Sequence, residues 1–95
     1  MKIYLEFLGF PMVSDVLGKK KMELDLPGNT VLDVINELIR LYGKKIREAF
    51  YDEEGNLDVT IQTMLNGKTF IPADRHHTPL NNGDTLTFML LLAGG

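Results

Sequence analysis

The chain has 95 residues, of which 44% are hydrophobic and 24% are charged, and its formal net charge is −3. This length predicts one domain with a modest core, and the composition excludes an intrinsically disordered chain. No apolar run approaches the roughly 20 residues of a membrane-spanning helix, and the acidic balance disfavours nucleic-acid binding. The absence of cysteine excludes disulfides, thiolate zinc sites and cysteine nucleophiles. We therefore expect a cytoplasmic protein with neither a membrane nor a nucleic acid as its partner.

The first quarter of the chain predicts two strands separated by a loop. Apolar and polar residues alternate over 1–8 and again over 19–26, which is the pattern of strands with one buried face. The intervening residues 9–18 have no sustained period and contain Gly, Pro, Ser and Asp, so we predict a loop there. The two strands would form an N-terminal hairpin.

A helix is predicted over residues 31–42. Apolar residues recur there at spacings of three and four and form a stripe on one helical face, with Asn36, Glu37 and Arg40 opposite. The residues of the stripe are Val31, Val34, Ile35, Leu38, Leu41 and Tyr42. Thr30 is the expected N-cap, with Asp33 three residues later, as in a capping box. A left-handed C-cap is expected at the glycine that follows the helix, and residues 44–50 are expected to add one or two further helical turns, with Ile46, Ala49 and Phe50 inward.

The second half of the chain predicts three more strands. Residues 58–65 alternate, Asn66-Gly67 is a strong signal for a two-residue hairpin turn, and 69–71 form a short returning strand that Pro72 ends. After a connection and a second turn, residues 85–92 are almost continuously apolar, as expected for a central strand covered on both faces.

The predicted fold is α+β, with one main helix packed across a mixed sheet of about five strands. The first and last strands are the most apolar, so we place them in parallel at the centre of the sheet. The charged second strand and the short strand after Gly67 then occupy the edges, where short or charged strands block aggregation. This arrangement is a β-grasp, or ubiquitin-like, fold.

Signals for an autonomous active site are weak. The carboxylates Glu6, Glu23 and Asp25 lie at strand positions expected to face solvent, and a small single-layer sheet offers no cleft for acid–base catalysis. Ser14 lacks a nucleophile-elbow sequence, and the adjacent pair His76-His77 has neither cysteine nor a third histidine to complete a metal site. We expect a protein that is not an enzyme by itself and that binds no metal.

The closing residues Ala93-Gly94-Gly95 are the most informative segment. One interpretation is a frayed end; the other is a flexible tail at 93–95, after a domain at 1–92, whose α-carboxylate is a reactive handle. Residues without a Cβ atom pass through a narrow enzyme channel that larger residues would block. Because a carboxylate is a poor acyl electrophile, a separate nucleotide-using enzyme would have to activate it.

The sequence resembles the β-grasp sulfur carriers, which include the small subunit of molybdopterin synthase, the thiamine-pathway sulfur carrier and prokaryotic ubiquitin-like modifiers. The resemblance covers nearly the whole chain. It is carried by Val16-Leu17-Gly18, Thr30-Val31-Leu32-Asp33-Val34, Leu41-Tyr42-Gly43, Leu65-Asn66-Gly67-Lys68, Thr78-Pro79-Leu80-Asn81-Asn82-Gly83-Asp84 and Ala93-Gly94-Gly95. The sequence departs from the molybdopterin-synthase subunits where Met89-Leu90-Leu91-Leu92 replaces a proline pair, which weakens that particular pathway but not the family.

The resemblance implies a carrier that is consumed and regenerated by its partners. An adenylating enzyme related to ubiquitin-activating enzymes would use ATP and Mg²⁺ to activate the carboxylate of Gly95, a sulfurtransferase would supply sulfur, and Gly95 would become a thiocarboxylate. Gly94 and Ala93 would form the slim tail. The chain itself would bind no cofactor. The large subunit of molybdopterin synthase is the implied acceptor.

Strand alternation predicts a docking surface beside the tail. If Ile3, Leu5, Leu86, Phe88 and Leu90 face the helix, the opposite face of the sheet carries Tyr4, Leu8, Met64, Met89 and Leu91. An exposed apolar patch of this kind marks a protein-binding site, and Ala93 would extend it. We expect it to bind the activating enzyme and an acceptor subunit, unless the residues are scattered or lie under the 9–18 loop.

Three functions remain open from the sequence. The first is a sulfur carrier for cofactor synthesis, foremost for molybdopterin. A carrier for thiamine synthesis or tRNA thiolation is a variant of this first function. The second is a protein modifier joined through Gly95 to lysines of target proteins. The third is a β-grasp interaction module in which the glycines have no role.

Overall fold

The computed structural model describes residues 1–90 of the chain. The strands are β1 (Lys2–Leu8), β2 (Lys21–Asp25), β3 (Ile61–Leu65), β4 (Thr69–Ile71) and β5 (Thr85–Leu90). The α-helices are α1 (Pro11–Leu17), α2 (Val31–Tyr42) and α3 (Lys44–Phe50), and a short 3₁₀ turn spans Ala73–Arg75.

The five strands form one mixed sheet in the order β2-β1-β5-β3-β4. The two central strands, β1 and β5, are parallel, with Leu5 opposite Leu86 and Phe7 opposite Phe88, and the other pairs are antiparallel. The predicted β-grasp fold is confirmed, including the central parallel pair and the two edge strands. β5 is thus both a central strand and the last described element.

The core lies between the sheet and the helices. Phe7 and Phe88 stack at 5.8 Å, and Phe50 of α3 meets Phe88 edge-on at 5.1 Å. Phe10, which precedes α1, packs against Phe50 at 5.4 Å in the same way. This chain of aromatic contacts joins the two central strands to α1 and α3.

The main helix begins as predicted. The Thr30 hydroxyl accepts the backbone N–H of Asp33 at 3.2 Å, and the Asp33 carboxylate accepts that of Thr30 at 3.0 Å, which completes a capping box. Gly43 ends the helix with a positive φ of 86°, although its ψ of −154° is not the left-handed value expected. Two side chains differ from the predicted stripe: Leu41 is 46% exposed, whereas Glu37 is only 8% exposed beneath Arg40.

The prediction of a loop over residues 9–18 was wrong, because Pro11–Leu17 is the helix α1. Proline at the first position and Gly18 as a left-handed C-cap (φ 74°) define a seven-residue helix that is too short for its periodicity to be recognised. Burial of Phe10 and Val13 anchors it on the core. Tertiary contacts therefore stabilise this helix, since its local sequence signals mark only its two ends.

Strand ends also differ from prediction. The strand predicted from residue 58 begins at Ile61, and Val59, predicted to alternate with it, is 81% exposed. Asp58 causes this difference, since its carboxylate accepts both the N–H and the hydroxyl of Thr60 and its carbonyl accepts the N–H of Ile61. The resulting turn competes with the ladder.

Candidate functional site

The face of the sheet that points away from the helices carries the predicted docking residues. In β1, Ile3, Leu5 and Phe7 are buried, whereas Tyr4 and Leu8 are 40% and 44% exposed. Met64 and Met89 are half-buried on the same open face. The open face thus carries apolar side chains at several positions that are not part of the core.

Strand register brings these apolar side chains together. Leu8 of β1 lies opposite Met89 of β5. Met64 of β3 lies opposite Phe70 of β4, with Thr87 of β5 on its other side. We call the set Leu8, Met64, Phe70 and Met89 the apolar band; it crosses four of the five strands diagonally.

Phe70 was not predicted as part of this surface. It is 50% exposed although it is large and apolar. The three-residue strand β4 is too short to show an alternation of apolar and polar residues. The face of the sheet on which Phe70 lies therefore depends on its pairing with Met64 across the hairpin. The recognisable signal was the Asn66-Gly67 turn, whose residues have the positive φ values of 54° and 67° that the predicted hairpin requires.

Leu8 and Met89 of the apolar band lie at the end of the sheet where the described part of β5 ends, whereas Met64 and Phe70 lie nearer the Asn66-Gly67 turn. Leu90 is the last residue of β5 and pairs with Ile61, the first residue of β3. Leu8 is at the corresponding end of β1 because β1 and β5 are parallel. Four predicted site residues, Leu91, Ala93, Gly94 and Gly95, lie outside the described residues.

The other half of the open face is polar. Lys2 and Glu23 form an ion pair at 3.5 Å between β1 and β2. Glu6 lies between Lys21 of β2 and Thr87 of β5, so it borders the apolar band. Tyr4 is therefore separated from Leu8 by a carboxylate, and the predicted patch is not continuous along β1.

Ser14 and His76, which are candidates for a nucleophile and a metal ligand in the sequence, form local hydrogen bonds. The Ser14 hydroxyl donates to the carbonyl of Phe10 at 3.2 Å. His76 contacts the carbonyl of Ala73 through Nδ1 at 2.9 Å, and its ring lies 4.3 Å from that of His77. Within residues 1–90, no group of three or more His, Cys, Asp or Glu side chains is arranged to hold a metal ion.

Three carboxyl groups have lowered pKa values, and each owes this to local hydrogen bonds. The pKa of Asp33 is lowered chiefly by the backbone N–H of Asn29, together with the Thr30 cap. The Arg40 guanidinium lowers the pKa of Glu37, and the Thr60 hydroxyl lowers that of Asp58. Each carboxylate stabilises a helix or a turn, which is a structural and not a catalytic role.

No helix among the described residues is long and apolar enough to cross a bilayer, the longest having 12 residues.

Comparison with known proteins finds likeness in fold but not in sequence. No protein-family model and no curated protein matches the chain. SAMP1 from Haloferax volcanii superimposes with a TM-score of 0.78 and 19% identity, over 100% of both chains. The putative molybdopterin converting factor, subunit 1, from Pyrococcus furiosus has a TM-score of 0.68 and 22% identity over 97% of this chain and 99% of that one.

A third similar structure is that of a BexX/CysO complex from Amycolatopsis orientalis, with a TM-score of 0.70 and 21% identity over 98% of this chain and 99% of the matched chain. The resemblance seen in the sequence is confirmed at the level of fold: this chain has the β-grasp architecture of proteins that include a small archaeal modifier and a molybdopterin converting factor subunit.

Proposed function

We propose that this chain is a sulfur carrier whose Gly95 carboxylate is activated by a partner enzyme and converted to a thiocarboxylate for cofactor biosynthesis. The observation that carries the proposal is the course of β5. The apolar band crosses this central strand at Met89. In the sequence, Gly94 and Gly95 follow Leu90 by four and five residues. A docking surface and a slim reactive segment would then act as one unit.

The chemistry requires two steps at one carboxyl group. A carboxylate oxygen of Gly95 attacks the α-phosphorus of ATP, pyrophosphate leaves, and an acyl-adenylate forms. A sulfur nucleophile equivalent to hydrosulfide then attacks the carbonyl carbon, AMP leaves, and the thiocarboxylate remains. The adenylating enzyme supplies Mg²⁺ and the nucleotide site, and a sulfurtransferase supplies the sulfur. This chain contributes the carboxylate and the surface by which it is held.

Molybdopterin synthesis is the pathway that we favour, with the large subunit of molybdopterin synthase as the acceptor. Its support is the fold shared with the putative molybdopterin converting factor subunit of Pyrococcus furiosus. In this role the chain is a subunit that delivers sulfur and has no active site of its own.

A protein modifier is the second candidate. It is supported by the fold shared with SAMP1 of Haloferax volcanii, a small archaeal modifier protein. The activation step is the same, but a lysine amine of a target protein attacks the acyl-adenylate carbon, so an isopeptide bond forms as AMP leaves. Thiolation of tRNA or thiamine synthesis would use the carrier chemistry with another acceptor.

Mass spectrometry of the chain from its own cells distinguishes these functions. The intact mass establishes whether Gly95 carries the free terminal carboxylate. Replacement of one oxygen by sulfur at Gly95, on an otherwise unmodified chain, is the result expected for a carrier. Gly-Gly remnants on lysines of other proteins, without thiocarboxylate, would instead identify a modifier.

Two variants test whether the Gly95 carboxylate is the reactive group. Deletion of Gly94 and Gly95 removes the proposed reactive segment, and addition of one alanine after Gly95 retains it but moves the carboxylate to a residue with a side chain. Both should fold as the parent chain does and both should lose sulfur transfer. Retained function in the deletion variant would refute both the carrier and the modifier and leave an interaction module.

A further inference from the structure

We propose that the partner that docks on the open face presents an arginine side chain to Glu6, so that this carboxylate and the apolar band together form the binding surface. The proposal deepens the proposed function, on which it rests for the identity of the partner, because it specifies the chemistry that the partner must carry.

Glu6 occupies the middle of the open face. It lies on the central strand β1, between Lys21 of the edge strand and Thr87 of β5. Along its own strand its neighbours on this face are Tyr4 and Leu8, which are both exposed. A partner that covers Leu8 and the adjacent Met89 cannot avoid covering Glu6 as well.

The carboxylate of Glu6 has no ionic partner within the described residues. No ammonium or guanidinium nitrogen there lies within 4.0 Å of it, and no side-chain hydrogen bond to it is formed. The neighbouring carboxylate on this face, Glu23, is by contrast paired with Lys2 at 3.5 Å. Glu6 is also half-buried.

Docking on this face therefore requires compensation for Glu6. A partner surface that is apolar throughout would strip water from the carboxylate and leave a buried charge unpaired, which is strongly unfavourable. A cation from the partner would convert this cost into a charge-assisted hydrogen bond. The open face thus selects for a partner with a basic residue among apolar ones and selects against a purely apolar surface.

The cation that fits best is arginine. Tyr4 lies two residues from Glu6 on the same face, which places the two side chains about 7 Å apart along the strand. A guanidinium bound to the carboxylate is planar and stacks on an aromatic ring within about 6 Å, whereas an ammonium forms point contacts only. Arginine and tyrosine are also the residues that most often dominate binding energy at interfaces.

Lys21 is the internal competitor. It lies opposite Glu6 but is exposed on the edge strand, and it forms no ion pair with any residue in the range 1–90. If Lys21 neutralised Glu6 in solution, the partner would gain nothing from a cation. Replacing Lys21 separates the two cases, because loss of an internal partner should strengthen the binding of an external arginine.

The test is an NMR titration of the ¹⁵N-labelled full chain with acetyl-Leu-Arg-Leu-amide at millimolar concentrations. The control peptide carries citrulline, the neutral isostere of arginine. We expect shifts of the amides of Tyr4, Glu6, Leu8 and Met89, with the arginine peptide bound about tenfold or more tightly than the citrulline peptide. Glu6→Gln should remove this difference, and Lys21→Gln should preserve or enlarge it.

Equal binding of the two peptides, shifts confined to other faces, or an unchanged preference in Glu6→Gln would overturn the proposal. In the adenylation reaction, Glu6→Gln should raise the KM for this chain about tenfold while kcat stays constant; an unchanged KM would also overturn it. A chain that binds the arginine peptide as described but is adenylated by no enzyme would refute the proposed function and leave the Glu6 contact supported.

Discussion

The side-chain amide of Asn66 donates to the carboxylate of Asp84 at 3.0 Å, which joins the turn after β3 to the loop before β5. The same Asn66 side chain accepts the N–H of Thr85 at 2.8 Å. Asp84 in turn accepts the N–H of Asn81. Two of the motifs that carry the family resemblance therefore hold together the end of the sheet at which β3 ends and β5 begins, and their role is structural.

Asn66→Ala should lower the free energy of unfolding by about 2–3 kcal/mol. It removes two side-chain hydrogen bonds, and it places a Cβ-bearing residue without local hydrogen bonds at a φ of 54°. Urea unfolding measures the loss. Asn66→Gly is the matched control, because it loses the same hydrogen bonds but tolerates the positive φ.

The alanine variant should therefore be less stable than the glycine variant by about 1 kcal/mol. Equal stabilities would show that the backbone conformation of residue 66 contributes nothing.

Much of the fold follows from short-range patterns that the tertiary structure leaves intact. Period-two alternation in β1 correctly places Ile3 inward and Tyr4 outward, because one face of this strand is wholly buried. The Thr30 cap and the Asn66-Gly67 turn are also predictable, since each depends on hydrogen bonds or φ values within four residues. The apolar character of β5 then suffices to place it at the centre of the sheet.

The features that sequence reasoning missed depend on distant contacts. Helix α1 exists because Phe10 packs against Phe50, forty residues away. Phe70 faces the open side only because β4 pairs with Met64, and no local pattern distinguishes it from a core residue.

Gly28→Ala should destabilise the chain although Gly28 is not among the glycines with positive φ. A Cβ atom at Gly28 would overlap the carboxylate and the Cβ atom of Asp33, whose oxygen accepts the N–H groups of Asn29 and Thr30. The new methyl group must displace Asp33, so the helix loses its cap. We expect a loss of about 1–2 kcal/mol in urea unfolding.

A double-mutant cycle with Asp33→Ala checks this cause. Once the Asp33 carboxylate is absent, the added methyl group displaces less, so Gly28→Ala should cost less in the Asp33→Ala background than in the parent chain. Additive losses would contradict the explanation and assign the cost of Gly28→Ala to the backbone itself.

Stability should fall in acid partly through Asp33. Because hydrogen bonds from Asn29 and Thr30 lower the pKa of this carboxyl in the folded state, its stabilisation is fully present above the unfolded pKa of about 3.9 and is lost as the pH falls through the folded pKa. Asp33→Asn does not titrate and keeps one acceptor oxygen. Urea unfolding from pH 7 to 2.5 should show lower stability at pH 7 and a shallower acid decline in this variant.

Asp15→Asn is the control for the acid prediction. Asp15 is exposed on α1 and forms no ion pair or side-chain hydrogen bond within the described residues, so its removal should leave the acid decline of the parent chain unchanged. A decline in Asp33→Asn as steep as that in Asp15→Asn would mean that the cap does not contribute to the pH dependence.

Met89→Asp and Met64→Asp should each abolish partner docking while the fold persists. Met89 lies opposite Leu8, and Met64 lies opposite Phe70, so either carboxylate would enter the apolar band and be desolvated by the partner. We expect the KM for adenylation to rise at least about thirtyfold, with a stability loss of about 1 kcal/mol because both side chains are only half-buried.

Asn36→Asp places the same charge on the exposed side of α2 and should leave KM unchanged. Parent-like KM values in both methionine variants would reject the apolar band as the docking surface, whereas a loss in Met89→Asp alone would confine docking to the end of the sheet that carries Leu8 and Met89.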